Sequence, residues 1–406
     1  MPLTTAAARA LLVLSLCGAS AASAQTLPAG PARAFDGRLV ASGDVTASIG
    51  SADEVAYFNY TDYEHNALRM LRLSLAAAWR PYERLAFVGE VRSEDLDRPR
   101  PYAAYVRVRP WPTRQFDLQA GRIPPSFGAF GRRAYGADNL VIGYPLAYQY
   151  LTSLRPDAVP ASADDLLLMR ARGWRSSFPI GDLGQAPGVP LVSAFRWDVG
   201  VQARWAGGPV ELVGSITNGT LSHPRVEDDN GGKQLSGRVV VRPLFGLVVG
   251  ASAARGAWLS RQVTALAPDA DYSQRAFGAD AEYSRDHWLL RGELVWSGWD
   301  VPFLGPAGSP RTLRATAAWV EGRYRLSPRL FVAGRGDVIR FSRISGEALA
   351  PDRPIPWDAP VTRLETALGC YLQRNLVARL GVQRNVRDAG RVRRRTFVAG
   401  QLTYWF

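Results

Sequence analysis

The sequence predicts an all-β chain, a transmembrane antiparallel up-and-down β-barrel of about 16 strands with a long third extracellular loop. Three observations carry this: a secretory leader, alternation of apolar and polar residues at period two along nearly the whole chain, and aromatic residues collected beside the short turns.

Residues 1–24 hold one positive charge, Arg9, then an apolar run from Ala10 to Ala22 that closes on Ala22-Ser23-Ala24. This is the layout of a cleavable signal, and the mature barrel is expected to occupy 25–406. Cys17 falls in the leader, which leaves Cys370 as the only mature thiol and excludes an intramolecular disulfide. No later apolar run approaches the 18 or so residues of a membrane-spanning helix, so crossing would have to be by strands.

A strand that faces lipid on one side and water on the other must alternate. From Leu71 to Trp79 the apolar set Leu71, Leu73, Leu75, Ala77 and Trp79 opposes Arg72 and Ser74; after a turn, Leu85, Phe87, Gly89 and Val91 oppose Glu90 and Arg92. The same rhythm recurs over 104–109, 116–120, 199–205, 235–242, 277–283, 288–296 and 398–406. It is weaker near 38–49, 210–218, 246–255, 314–325, 330–340, 362–372 and 376–384. Tight links near 81–84, 110–115, 206–209, 242–245, 284–287, 326–329 and 373–375 alternate with longer ones. Short turns face the periplasm in such barrels and long loops face outward. Trp79, Trp111, Phe116, Trp205, Tyr283, Trp288, Tyr324 and Tyr404 lie near those turns or the C-terminus, as a headgroup-level girdle would.

Charges at spacing two cannot share a face with lipid, so they are expected to point into the lumen. The pore-lining candidates are Arg38, Arg72, Arg92, Arg107, Arg109, Arg204, Arg238, Arg291, Arg323 and Arg379, with Arg363 beside them. Against them stand acids that include Asp44, Glu90, Asp117, Glu211, Asp280, Glu282, Glu293, Glu321 and Glu365. Rings of arginine select anions; the alternative is that many of these charges form ion pairs across the lumen and stiffen the wall.

One connection, residues 123–196, neither alternates nor is short. Unstructured loops of such length usually do something, and folding this one inward would narrow the channel. Ser162, Asp164-Asp165 and the run to Met169, ahead of Gly173, predict a short capped helix within it. Arg132, Arg133, Arg155, Arg170, Arg172 and Arg175 are its candidates for a constriction.

The formal net charge is +13, almost wholly from arginine, since Lys233 is the only lysine. The arginines are scattered and the chain is exported, which argues against nucleic acid as a partner. His65, His223 and His287 are far apart in sequence, and Glu227-Asp228-Asp229-Asn230-Gly231 lacks the spacing of a dedicated calcium loop, so no metal, cofactor or catalytic group is expected.

The chain resembles the phosphate-selective porin family and its relatives, outer-membrane proteins of Gram-negative bacteria. The resemblance rests on Trp319 to Leu326 with its Ser-Pro-Arg turn and Leu330 to Asp337, on Leu364 to Leu372, Gln373 to Gly381 and the closing Tyr404-Trp405-Phe406, and on Gly121 to Gly128. Two positions depart: Gly336 stands where the family commonly has tyrosine, and lysines used at the pore by phosphate-selective members are missing. The resemblance implies a 16-stranded, trimeric channel. Together with the residue pattern it sets the expectation of passive diffusion of small hydrophilic solutes with weak anion preference, in contact with outer-membrane lipid. A barrel that sheathes a partner protein is the alternative; an outer-membrane enzyme is a third, for which no Ser/His pair is found.

Overall fold

The computed structural model describes residues 31–406 except 62–64, 112, 132, 134–137, 195, 268–270 and 305–310. The expected leader and Arg132 lie outside the described residues.

Sixteen long strands form one antiparallel barrel. They are β1 (Leu39–Gly50), β2 (Leu71–Tyr82), β3 (Leu85–Glu94), β4 (Arg100–Val108), β5 (Gln115–Ile123), β6 (Asp198–Gly207), β7 (Val210–Thr217), β8 (Gln234–Leu244), β9 (Leu247–Ala257), β10 (Ser273–Arg285), β11 (Trp288–Val301), β12 (Arg311–Arg325), β13 (Leu330–Phe341), β14 (Val361–Gln373), β15 (Leu376–Arg387) and β16 (Arg394–Trp405). Each pairs with its sequence neighbours, and β1 pairs with β16 from Asp44↔Trp405 to Gly50↔Ala399, which closes the sheet. A three-residue strand, Ala32–Ala34, covers the stretch of β1 that β16 does not reach. No described helix is long and apolar enough to cross a membrane.

Period-two alternation places Leu73, Leu75 and Trp79, or Val398, Leu402 and Tyr404, on the outside. All eight expected girdle aromatics sit at the turn end. Trp79 stacks on Phe87 at 5.5 Å and Trp288 lies 4.6 Å from Tyr324, centroid to centroid. With an apolar outer belt and no free edge, this is a multi-pass β-barrel of the outer-membrane type.

Alternation is weak in β12 and β13 for a reason the structure supplies. Inward positions toward their loop end are themselves apolar, including Leu313, Ala315, Ala317, Trp319, Ile339 and Phe341, all buried. A strand covered on both faces loses its period-two signal.

At the seam, Phe406 exchanges backbone hydrogen bonds with Gly43 (3.2 and 3.0 Å) and lays its ring against that glycine. A Cβ at Gly43 would stand 2.8 Å from the Ser74 carbonyl oxygen and 2.9 Å from the Phe406 ring. Gly43→Val is therefore expected to cost about 1–3 kcal/mol through overpacking. The check is the temperature at which the folded barrel unfolds in dodecyl sulfate gels, which should fall; an unchanged temperature would count against this packing.

Candidate functional site

The β5–β6 connection, residues 124–197, is the third outward loop, and it enters the lumen. Its hydrogen bonds trace a path across the barrel. The Ser126 hydroxyl meets Ser215 and Ser236 on β7 and β8 (2.9 and 2.6 Å), and the Gly128 N–H donates to Ser252 on β9 (3.1 Å). Gly128 has φ +71°, a conformation glycine adopts freely, and a Cβ there would collide with the Glu293 carboxylate.

On the far wall the loop meets buried charge. Glu293 of β11 accepts from the Ala129 N–H (3.0 Å), the Tyr148 hydroxyl (2.8 Å) and the Trp319 indole (3.2 Å). Glu365 of β14 accepts from the N–H groups of Ile142 and Gly143 (3.0 and 2.7 Å). Arg335 of β13 pairs with Glu321 (2.6 Å) and donates to the Gly143 carbonyl (2.9 Å) and the Asn139 side chain (2.7 Å). Arg363 donates to the carbonyls of Tyr144 (2.9 Å) and Phe58 (2.7 Å) and to Gln149. Beneath these, Leu140 and Val141 pack on Leu289, Phe331, Ala333, Ala367 and Val377. Ion and backbone partners thus satisfy each other in a space that excludes water, where an unpaired member would be costly.

Most of the strand arginines named as pore-lining candidates are engaged by nearby acids or neutral groups of the barrel. Arg72 reaches Glu94 (3.4 Å) and the Tyr144 hydroxyl; Arg92 pairs with Glu90 (2.5 Å) over the Tyr102 ring. Arg107 and, just past β4, Arg109 share Asp117 (3.2 and 3.4 Å). Arg204 pairs with Glu211 (2.8 Å), Arg238 with Asp280 (2.6 Å) and Arg291 with Glu282 (3.0 Å). Arg379 donates to Gln401 (2.9 Å), and Arg323 stands over Phe331. Arg38 is exposed in the turn before β1. Most of the expected ion pairs are thus between nearby positions of one wall, which a strand spacing of about 4.8 Å makes easier than a span of the lumen.

Of the constriction candidates, Arg133 meets the barrel wall, at Glu282 (2.5 Å). Arg155 is buried inside the loop against Asp157 (2.9 Å), Arg170 pairs with Asp388 (3.2 Å), and Arg172 and Arg175 are exposed. The expectation that these four sit at a constriction is corrected: the second half of the loop roofs the outer mouth instead. The helix there, Ala163–Leu168, has the Ser162 cap, reciprocated by Asp165, but ends at Met169 and not at the expected Gly173; Ala171, with φ +63°, turns the chain. Leu166 and Leu167 are buried in the roof, and Asp164 accepts from the N–H groups of Glu347, Ala348 and Leu349 in the β13–β14 loop. Asp358 of that loop accepts from Ser153 and Ala171 (2.9 Å each).

Sequence reasoning missed Tyr144, Tyr148, Asn139 and Asp358, the pins that seat the loop. Their only signal was polarity inside a non-alternating stretch. Opposite the docked loop, inward side chains of β1–β4 stay partly exposed: Ser42, Ser74, Glu90, Arg92, Tyr105 and Arg107. These, with the loop, frame the lumen. Lys233 lies in the outer β7–β8 loop on Asp228 (2.5 Å), away from it, and Asp228 also caps the Asn230-Gly231 turn.

A closed 16-stranded barrel with its third loop pinned inside defines the class of this molecule as a porin-fold outer-membrane barrel. Among solved structures it is similar to OmpT, an outer-membrane protein of Vibrio cholerae, at 11% identity over 93% of this chain and 100% of that one (TM-score 0.55). It is also similar to an anion-selective porin from Comamonas acidovorans (10%, 91% and 99%, TM-score 0.53) and to the outer-membrane channel DcaP of Acinetobacter baumannii (12%, 93% and 100%, TM-score 0.52). At these identities the likeness is one of fold. No family model and no curated protein sequence matches the chain.

Two outcomes follow. Arg335→Met leaves Glu321 buried and loses two bonds to the loop, so it is expected to cost about 3–5 kcal/mol and to loosen residues 139–143, read by hydrogen exchange there; protection equal to the wild type would refute the pin. His65, in the β1–β2 loop, lies 3.4 Å from Asp95 and 3.2 Å from Asp97 of the β3–β4 loop. Burial opposes its charge, yet the Asp95 bond and the charges of Glu94, Asp95 and Asp97 raise its pKa above 6.5. A raised folded value means the latch is fully stabilising below 6.5 and is lost as pH rises through that value. Proteolysis of the β1–β2 loop should speed up over that rise in the wild type and be pH-independent in His65→Asn.

Proposed function

We propose that this protein is a passive channel for small hydrophilic solutes with a weak preference for anions. The observation that carries the reading is the third loop seated on β11–β14, opposite a partly exposed wall of β1–β4 that bears Arg92 and Arg107. A loop docked on one side of a 16-stranded barrel restricts the lumen without needing a second protein. The space a sheath would give to a partner is occupied by the chain's own loop, which favours a channel over a scaffold.

Anion preference rests on the inward arginines that acids do not fully match, as where Arg107 and Arg109 share the single carboxylate of Asp117. An arginine about 4 Å from a permeating ion in water is worth about 1 kcal/mol, roughly a five-fold bias at most. Phosphate selectivity, which the family resemblance implies, is the narrower form of the same reading. A non-catalytic role accords with the placement of the histidines: His65 in the latch, His223 half-buried in the β7–β8 loop with its pKa pushed by desolvation to about 3, and His287 in a periplasmic turn. Assembly as a homotrimer also belongs to this reading; a solved form of the Vibrio cholerae OmpT is described as a trimer.

In planar bilayers under a salt gradient the purified protein should give stepwise conductance with a reversal potential of anionic sign, and Arg92→Ser should reduce the anion bias. A silent barrel would overturn the channel, and a cationic sign would overturn the selectivity. Block of chloride current by phosphate, and not by sulfate, would be the mark of the narrower reading.

A further inference from the structure

The inward arginines are largely matched with acids, so the excess positive charge must sit elsewhere. Part of it is on the outside of β13–β16 at the loop end. Arg340, Arg384 and Arg394 occupy outward positions, fixed by the pairings Val338↔Thr362, Thr362↔Val386, Val386↔Arg394 and Leu364↔Arg384. Below them the outward side chains are apolar or small: Val338 and Val332 on β13, Val382 and Leu380 on β15, Val398 and Leu402 on β16.

Their height follows from strand geometry. Val332 lies opposite the girdle residue Tyr324, and Arg340 is eight residues further along. At about 3.3 Å per residue and a tilt of about 40°, that is about 20 Å up the barrel axis; Arg394, ten residues from girdle Tyr404, is about 25 Å up. The apolar belt of such barrels is about 25 Å tall. These arginines therefore stand where hydrocarbon gives way to the headgroups of the outer leaflet.

The surface there is concave. A depression of about 630 Å³ is lined by Arg340, Arg343, Thr362, Val386, Arg393 and Arg394. Arg340 is held along the wall by the Val361 carbonyl and the Thr362 hydroxyl (3.3 Å each), and Arg343 by the Pro354 carbonyl (3.2 Å), all neutral acceptors. None of Arg340, Arg343, Arg384, Arg393 and Arg394 forms an ion pair among the described residues. Asp388 also borders the depression, and it is engaged by Arg170 at 3.2 Å. Guanidinium groups match phosphate in shape and charge, and their apolar stems tolerate the edge of the hydrocarbon.

We infer that this outer face of β13–β16 is a binding site for the phosphate-bearing headgroup of an outer-leaflet glycolipid, with Arg340, Arg394 and Arg384 as its principal cations. The acyl chains of such a lipid would run down the apolar belt beneath the arginines, which a soluble anion does not do.

The test uses the full-length protein in phosphatidylcholine vesicles doped with diphosphoryl lipid A, with dephosphorylated lipid A as the matched control, and bound glycolipid counted by native mass spectrometry. The wild type should retain the phosphorylated lipid, and R340S/R384S/R394S should retain roughly ten- to a hundred-fold less, at about one surface-charge contribution per arginine removed. R325S/R329S, at the periplasmic end, should behave as wild type. Single substitutions should give partial losses, and unchanged gel mobility and conductance show that the barrels are folded. Equal retention by the triple variant, equal binding of the dephosphorylated lipid, or a change of oligomeric state in place of lipid loss would overturn the proposal. Displacement of the lipid by inorganic phosphate at matched concentration would assign the site to free anions instead.

Discussion

Closure of the sheet is the constraint on which everything else depends. In hydrocarbon a backbone N–H or C=O without a partner costs several kcal/mol, so a strand-built spanning protein must have no open edge. Here that demand is met at one seam, where Asp44–Gly50 pairs with Ala399–Trp405 and Phe406 seats on Gly43. The seam fixes the circumference, the circumference leaves a lumen too wide to be filled by wall side chains, and the surplus volume is what the third loop occupies.

The loop in turn explains the distribution of charge. Glu293, Glu321, Arg335, Arg363 and Glu365 are buried because residues 126–149 lie on them, and each is satisfied by loop backbone, loop side chains or an opposite charge. A buried pair of this kind contributes little net stability compared with an apolar contact, but removing one partner is expensive. Such a network selects one position of the loop more strongly than it stabilises the barrel. The opposite wall, β1–β4, meets the loop only at points, Arg72 on the Tyr144 hydroxyl and the Tyr102 hydroxyl donating to the Ala194 carbonyl among them, and keeps Ser74, Glu90, Arg92 and Arg107 partly exposed. The asymmetry between the two walls follows from which one the loop leans on.

Much of the fold was legible in the residues. The strands Leu71–Tyr82 and Leu85–Glu94 could be placed because lipid and water impose opposite demands on successive side chains. The turn-side aromatics Trp79, Trp288 and Tyr404 marked one interface independently. The candidate site was legible only in part. Arg72 and Arg238 were assignable to the inward face by parity, but their partners Glu94 and Asp280 depend on register between strands, whereas Arg92 pairs with Glu90 two residues back on its own strand. Arg155, Arg170, Arg172 and Arg175 sit within a stretch without periodicity, where sequence gives no direction, and they went to the roof.

The sequence by itself determined that this chain crosses a membrane as strands, how many there are, and which face of each meets lipid, because those properties are set residue by residue against two solvents. Only the tertiary structure decided where the third loop lies and which charges it silences. That outcome depends on contacts between Gly143 and Glu365, or Tyr148 and Glu293, more than a hundred positions apart, and no local preference encodes a partner at such a distance.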